Sequence, residues 1–186
     1  MKSKIKKSLL MLMIAVMASL TFVPPTHCIP DNNRFIPVAM YEVPPVASLT
    51  LAISSLNAQK GEQVCVAVAA KNFDQIISMQ YSMKWDEKVL KFKELKSFGL
   101  PGLGQNNFSA HLAAKGTLTY SWYDPHLKGA SKPDGTVLYE LCFEVIGEPG
   151  AKSQFEFNGL PTVVEIANSS GVFLDLKTEG GMVEVK

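Results

Sequence analysis

Between Asn72 and Phe92 the chain reads NFDQIISMQYSMKWDEKVLKF, and in its middle Ile77, Met79, Tyr81, Met83 and Trp85 alternate with Ser78, Gln80, Ser82 and Lys84. Alternation with a period of two predicts a β-strand with one apolar and one polar face. After Trp85-Asp86 and a short turn, Val89 to Leu95 predicts the next strand. The polar face of Ser, Gln and Lys is either an ordinary solvated surface or a docking surface. The choice between these is the functional question of the chain.

The same alternation recurs on both sides. Ala47 to Ser54 sets Leu49, Leu51 and Ile53 against small polar partners, and Val64, Val66 and Val68 give the inward face of a second strand after the Gly61-Glu62 turn. From Gly116, Leu118, Tyr120 and Trp122 face in while Thr117, Thr119, Ser121 and Tyr123 face out. Val137 to Val145 is another strand, with Tyr139, Leu141, Phe143 and Val145 on one side. Ser153 to Phe157, Val163 to Ile166 and Met182 to Val185 complete the set. Phe98 to Gly104 is a loop by its Gly and Pro content, and Phe108 to Ala114 fits a short strand or a helical turn equally well. Asp124 to Gly135 is a long polar loop closing on Pro133-Asp134-Gly135, a turn signature. No stretch shows the period of an amphipathic helix. Many short alternating strands punctuated by Gly and Pro predict an all-β antiparallel sandwich.

The first residues stand apart from this pattern. Lys2, Lys4, Lys6 and Lys7 precede an apolar run from Leu9 to Val23, the layout of a secretory signal over residues 1–23. The run is short for a membrane span and Pro24-Pro25 stops it, so no stable span is expected. Cleavage fits after Ala18, or nearer Cys28; the Pro25-Thr26-His27 before that cysteine lacks the small residues of a lipidation site. Residues 24–46 are a Pro-rich spacer, extended and semi-rigid. Residues 47–186 are the single folded domain, and no second module or sorting signal is expected after it. The chain is expected to be exported to the cell surface or beyond.

Export bears on charge and on the cysteines. Losing four leader lysines and no acid takes the net charge from +1 to −3. A mildly acidic chain with no basic stripe excludes nucleic acid as the natural partner. Cys65 lies between inward Val64 and Val66, and Cys142 between inward Leu141 and Phe143, so both thiols point out of the core. They are either two separate surface thiols or, if their strands are neighbours in register, a cross-strand disulfide.

Catalytic and metal chemistry find no pattern to rest on. His111 and His126 lie outside any Gly-x-Ser-x-Gly or His-Glu-x-x-His context, and no CxxC or alternating-acid calcium loop is present. Asp86-Glu87 and Asp124-Pro125-His126 follow strands and are expected to be solvated loop residues. No cofactor is implied. Trp85 and Trp122 fall on inward phases and are expected in the core. Tyr123 is on an outward phase and is the best single candidate for stacking a sugar ring.

From about Leu49 to Lys186 the chain resembles the cohesin family, the dockerin-binding modules of cellulosomes and related surface assemblies. The matching pieces are Gly61-Glu62-Gln63-Val64, Val68 to Phe73, Met79 to Asp86 with Val89 to Phe92, Ser121-Trp122-Tyr123-Asp124, Asp134 to Leu138 and Phe143 to Gly147. The resemblance implies a jelly-roll sandwich of about nine strands that works by protein–protein recognition, without enzymatic activity, in a polysaccharide-degrading assembly. It places a dockerin on Ser78, Gln80, Ser82 and Lys84 of the third strand, with Thr117, Thr119, Ser121 and Tyr123 of the sixth and Leu127 in the loop that follows. Ser78 and Gln80 stand where well-studied members present Asn and Asp, a departure at the positions that bear most on specificity. The family's topology also makes the Cys65 and Cys142 strands neighbours opposite the docking face, which favours the disulfide. The same fold serves some carbohydrate-binding modules, so polysaccharide is the alternative ligand.

Overall fold

The computed structural model describes residues 47–186; the expected leader, the spacer and Cys28 lie outside the described residues. In chain order the strands are β1 (Ser48–Ile53), β2 (Leu56–Ala58), β3 (Gln63–Lys71), β4 (Phe73–Lys84), β5 (Leu90–Lys96), β6 (Phe108–Ser109), β7 (Thr117–Tyr123), β8 (Ala130–Lys132), β9 (Thr136–Val145), β10 (Lys152–Gln154), β11 (Glu156–Asn158), β12 (Glu165–Asn168), β13 (Asp175–Gly180) and β14 (Met182–Val185). Single 3-10 turns at Gln105–Asn107 and Ala113–Lys115 flank β6. The ambiguous segment from Phe108 to Ala114 therefore holds both a short strand and a helical turn.

Two larger sheets face each other. One runs β13-β1-β3-β9-β5; the other centres on β4, with β7 and then β6 on one side and β11, β12 and β8 pairing along β4 in turn. A small sheet, β10-β14-β2, adds Val183 and Val185 to the core. The all-β jelly-roll expected from the sequence is what forms. Its β1–β13 and β2–β14 pairings are parallel, an addition to the antiparallel scheme. The two pairings are separated by matching interruptions: β1 is parted from β2 at Ser54-Ser55, and β13 from β14 at Gly181, which with the preceding Gly180 takes a positive φ. The Ser55 hydroxyl accepts the N–H groups of Gly181 at 3.2 Å and Met182 at 3.1 Å, so the two breaks stay in step.

The expected Ser153–Phe157 strand is instead two. Lys152–Gln154 pairs with β14 and Glu156–Asn158 pairs with β4, and between them Phe155 drops into the core. Within β4 the alternation holds from Met79 to Trp85, but a bulge interrupts it below. Ile76 is fully buried while Ile77, expected inward, is only partly so, and Gln75 takes a left-handed backbone at φ 53°. A bulge inserts one residue and shifts the side-chain phase by one, which is why the isoleucine on the inward side is Ile76.

The interior is aromatic. Tyr81 stacks on Tyr120 at 4.7 Å, Phe157 meets Tyr81 edge-on at 5.0 Å, and Phe108 meets Tyr139 edge-on at 4.9 Å. Trp85 and Trp122 are buried as expected, their indole N–H groups donated to the carbonyls of Leu90 at 3.0 Å and Pro101 at 2.8 Å. Such rings combine large apolar burial with a polar edge that must find a partner, and here both indoles do.

Cys65 and Cys142 stand directly opposite each other on β3 and β9, their Cα atoms 4.0 Å apart, and form a disulfide. It lies on the outer side of its sheet, away from β4 and β7. That outer side also carries charge pairs, with Lys93 and Lys91 meeting Glu144 at 3.3 and 3.8 Å and Lys71 on β3 meeting Glu179 on β13 across β1. Exposed pairs of this kind contribute little to stability and keep a surface wet.

Candidate functional site

The outer side of the β4 sheet has a regular ladder. Ser78 pairs with Tyr123, Gln80 with Ser121, Ser82 with Thr119 and Lys84 with Thr117. Directly opposed residues in an antiparallel pair present their side chains on one face, so the eight outward positions read from the sequence share one surface. They are not equally open. Ser121 and Tyr123 are exposed, Ser78, Gln80, Lys84 and Thr119 are half-buried, and Ser82 and Thr117 are buried. For these last two the expected open position is corrected. Ser82 is covered by the connection between β11 and β12, whose Thr162 N–H donates to the Ser82 hydroxyl at 2.9 Å. Thr117 opens β7 immediately after the Ala113–Lys115 turn, its own N–H donated to the Leu112 carbonyl at 3.2 Å.

On the far side of β4, Glu165 stands opposite Gln80 and Ala167 opposite Ser78. Ala167 is bridged in turn to Phe173. One row across the surface therefore runs Phe173, Ala167, Ser78, Tyr123. Three strand spacings separate the two aromatic ends by about 14 Å. Both rings are 65% exposed, with two small side chains between them. Ala167 is itself buried and Ser78 half-buried, so the row dips to a low floor between two open aromatic ends.

Beyond Tyr123 the chain turns through a tight loop built on Asp124. Expected as a solvated carboxylate, Asp124 is instead buried, its Oδ1 accepting the His126 N–H at 3.1 Å and its Oδ2 those of Lys128 and Gly129 at 3.0 Å each. Burial pushes the carboxyl up, but the three backbone N–H groups outweigh it and hold it below its usual value of 3.8. Its lone pairs are committed to the loop. That scaffold forces Leu127 to φ 52°, a left-handed backbone unfavourable for a branched side chain, and leaves it 71% exposed. The loop also nests against β4, since a Cβ at Gly129 would sit 2.7 Å from the Gln75 carbonyl.

Leu160, Val163, Val172 and Phe173 join Tyr123 and Leu127 as the large exposed hydrophobics among the described residues. The first four were not foreseen. Leu160 and Val163 project from the connection between β11 and β12, and Val172-Phe173 follows the Asn168–Gly171 turn. An apolar pair directly after a Ser-Ser-Gly turn was the one signal available for Val172-Phe173. His111 and His126 are exposed; Ser109 bonds His111 Nδ1 at 2.6 Å, and among the described residues no carboxylate hydrogen-bonds either ring. No cluster of three metal-ligating side chains occurs among the described residues, and no helix there is long and apolar enough to cross a membrane.

Known proteins share this architecture. A cohesin of OlpA from Clostridium thermocellum, solved in complex with a dockerin, superposes with a TM-score of 0.63 at 18% identity, covering 75% of this chain and 99% of that one. The seventh ScaB type I cohesin from Pseudobacteroides cellulosolvens gives 0.63 at 16%, covering 76% and 94%. A non-cellulosomal cohesin from the hyperthermophilic archaeon Archaeoglobus fulgidus gives 0.58 at 21%, covering 75% and 92%. At these identities the likeness speaks for the fold. Among curated proteins none matches the chain. The family model for the cohesin domain matches residues 49–176. Spanning well over half of the sequence on a sandwich of this topology, that match makes the chain a member of the cohesin family.

Proposed function

We propose that this chain is an exported, non-catalytic recognition module that docks a dockerin-like protein on the outer face of β4 and β7, within an extracellular assembly that degrades polysaccharide. One observation carries the reading. All six large exposed hydrophobics among the described residues sit on β7, on the loop after it, or on segments adjoining the strands paired with β4. The opposite face offers paired charges and a disulfide instead. Apolar side chains concentrated on one side of a sandwich are the usual mark of a protein-binding surface. The solved relatives in complex with dockerins, such as that of OlpA, support the partner class.

Ser78, Gln80, Thr119, Ser121 and Lys84 supply the polar contacts in this reading, with Tyr123 and Leu127 as apolar anchors. Calorimetric titration of the chain with the dockerin modules encoded in the same genome tests it. A dissociation constant in the micromolar range or tighter with at least one module is expected. Absence of heat with every module sinks the proposal.

A second reading has its own support. Tyr123 and Phe173 on one row resemble a platform on which sugar rings stack, and Gln80 and Ser121 offer hydrogen bonds beside it. A glycan array decides this: spots that bind the chain and fade in Tyr123→Ala favour a carbohydrate ligand, and a blank array removes it.

A further inference from the structure

Residues 159–164 leave the β4 ladder and return to it in an unusual way. Asn158 pairs with Ser82 and Glu165 with Gln80, so only Tyr81 separates the two attachment points on β4. Six residues therefore span a gap that one residue spans on the partner strand. Tyr81 faces the core, so the excess chain is displaced to the outer side, over Ser82.

We propose that this loop is a second partner-reading element and that Ser82 is its positioning residue, not a contact. The proposal rests on the docking reading above and keeps its partner, a dockerin-like module. Ser82 has no exposed surface, so it cannot touch a partner directly. Its hydroxyl accepts the Thr162 N–H at 2.9 Å and donates to the Thr162 carbonyl at 3.4 Å. A hydroxyl offers one donor and two acceptor sites, and here a single residue's backbone engages both directions. One buried side chain thus ties down the middle of the loop.

The residues on either side of the tie face outward. Leu160 is 69% and Val163 64% exposed, and neither packs under its own loop. Holding two large apolar side chains in water forgoes the burial free energy they would gain in a core. The loop lies over Ser82, two rungs along β4 from the Ser78 row that carries Tyr123 and Phe173, with the polar row of Glu165, Gln80 and Ser121 between them. Its sequence, Gly159 to Val164, has no charge, and Glu165 at its exit stands opposite uncharged Gln80. The matching surface on the partner is therefore an apolar patch bordered by a lysine or arginine.

The test is a thermodynamic cycle by calorimetric titration of the full chain with a dockerin module that binds the wild type. Leu160→Ala/Val163→Ala, a surface change that leaves the core intact, is expected to weaken binding about tenfold or more. Ser82→Ala is expected to weaken it about fivefold in the wild-type background and less than twofold when Leu160 and Val163 are already alanine, because a positioning residue loses its effect once what it positions is gone. Amide exchange at Thr162 should quicken in Ser82→Ala. A loop variant that binds within twofold of the wild type overturns this inference while leaving the docking reading intact. Equal losses from Ser82→Ala in both backgrounds overturn the positioning role. If the wild type binds no dockerin module, the docking reading falls and this inference falls with it.

Discussion

The hydroxyls of Tyr81 and Tyr139 meet 2.7 Å apart in the interior, joining β4 of one sheet to β9 of the other. The third tyrosine of the stack, Tyr120, stands beside Tyr81 on β7 and packs its ring against both, yet its hydroxyl finds no protein partner among the described residues. The same chemical group thus has opposite consequences at neighbouring sites. Tyr81→Phe leaves Tyr139 with an unmatched buried hydroxyl and is expected to destabilise the fold by about 1–3 kcal/mol. Tyr120→Phe removes a polar group that gains nothing from its position, and is expected to be neutral or mildly stabilising. Urea denaturation of both variants checks the contrast; equal losses would mean that the pair does not bridge the sheets.

These tyrosines also set an alkaline limit. Burial is the main cause that raises Tyr81, Tyr120 and Tyr139 above the ordinary tyrosine value of 10.0, with neighbouring tyrosines adding to the shift at the first two. A raised folded value means that the unfolded chain loses its phenolic protons first. The stability is complete below pH 10 and is lost as pH rises above it toward the folded values. Unfolding midpoints should hold level through neutral pH and then fall steeply above pH 10. Tyrosinate absorbance should appear together with the loss of tertiary circular dichroism, not before it.

How much of this was legible beforehand varied with how local the signal was. Alternation alone located β4 and β7 and the outward phase of Ser78, Gln80, Ser121 and Tyr123, because a strand's side-chain period is fixed by its backbone. The bulge escaped because Ile76 and Ile77 are identical neighbours, and either satisfies an inward position. Ser82 escaped because a polar face looks the same in sequence whether water or another loop covers it. Phe173 joins the row only through its bridge to Ala167, a contact between segments that no period encodes. β13 (DLKTEG) carries almost no apolar residue, so its pairing with β1 is set by the neighbouring strand and not by its own pattern. The buried role of Asp124 was hidden for a similar reason: three backbone donors gather only once the loop has closed.

The disulfide makes a prediction that separates stability from function. Cys65 and Cys142 are 77 residues apart in sequence. Closing a loop of that length restricts the unfolded chain by about 4 kcal/mol. Cys65→Ser/Cys142→Ser is therefore expected to lower the denaturation midpoint markedly. Because the pair lies on the outer side of the sheet opposite β4, partner affinity measured well below the new melting temperature should stay within twofold of the wild type. A large loss of affinity at full folding would place the partner on the other sheet.

Asp124 should behave in the opposite way, with a local effect on recognition. Asp124→Ala frees the N–H groups of His126, Lys128 and Gly129 and releases the left-handed Leu127. Partner binding is expected to weaken about tenfold, since an anchor that must be ordered on binding loses its preorganisation. The carboxyl is held below its usual value, so its contribution is present above pH 4 and is lost as pH falls through the lowered folded value. Wild-type affinity should thus be level from pH 7 to 5 and decline only in stronger acid. Asp124→Asn keeps an acceptor but loses the charge, and should fall between the wild type and Asp124→Ala.

The aromatic row offers the sharpest test of where a partner lies. Tyr123 and Phe173 are reached from opposite edges of the sheet, through β7 and through the segment after β12, and share only the small Ser78 and Ala167 between them. A partner element seated in the trough between them has to contact both rings. Tyr123→Ala and Phe173→Ala are each expected to weaken protein binding about tenfold or more, as exposed aromatics at the centre of an interface do. Filling the trough should be worse than removing a wall: Ser78→Trp is expected to abolish binding, because the indole would occupy the space between Tyr123 and Ala167 that half-buried Ser78 leaves low, and an unchanged circular dichroism spectrum separates this block from misfolding. Lys177→Ala on the opposite sheet serves as the control and should bind like the wild type. Loss at Tyr123 with no effect at Phe173 would confine the partner to the β7 side and remove the trough from the contact.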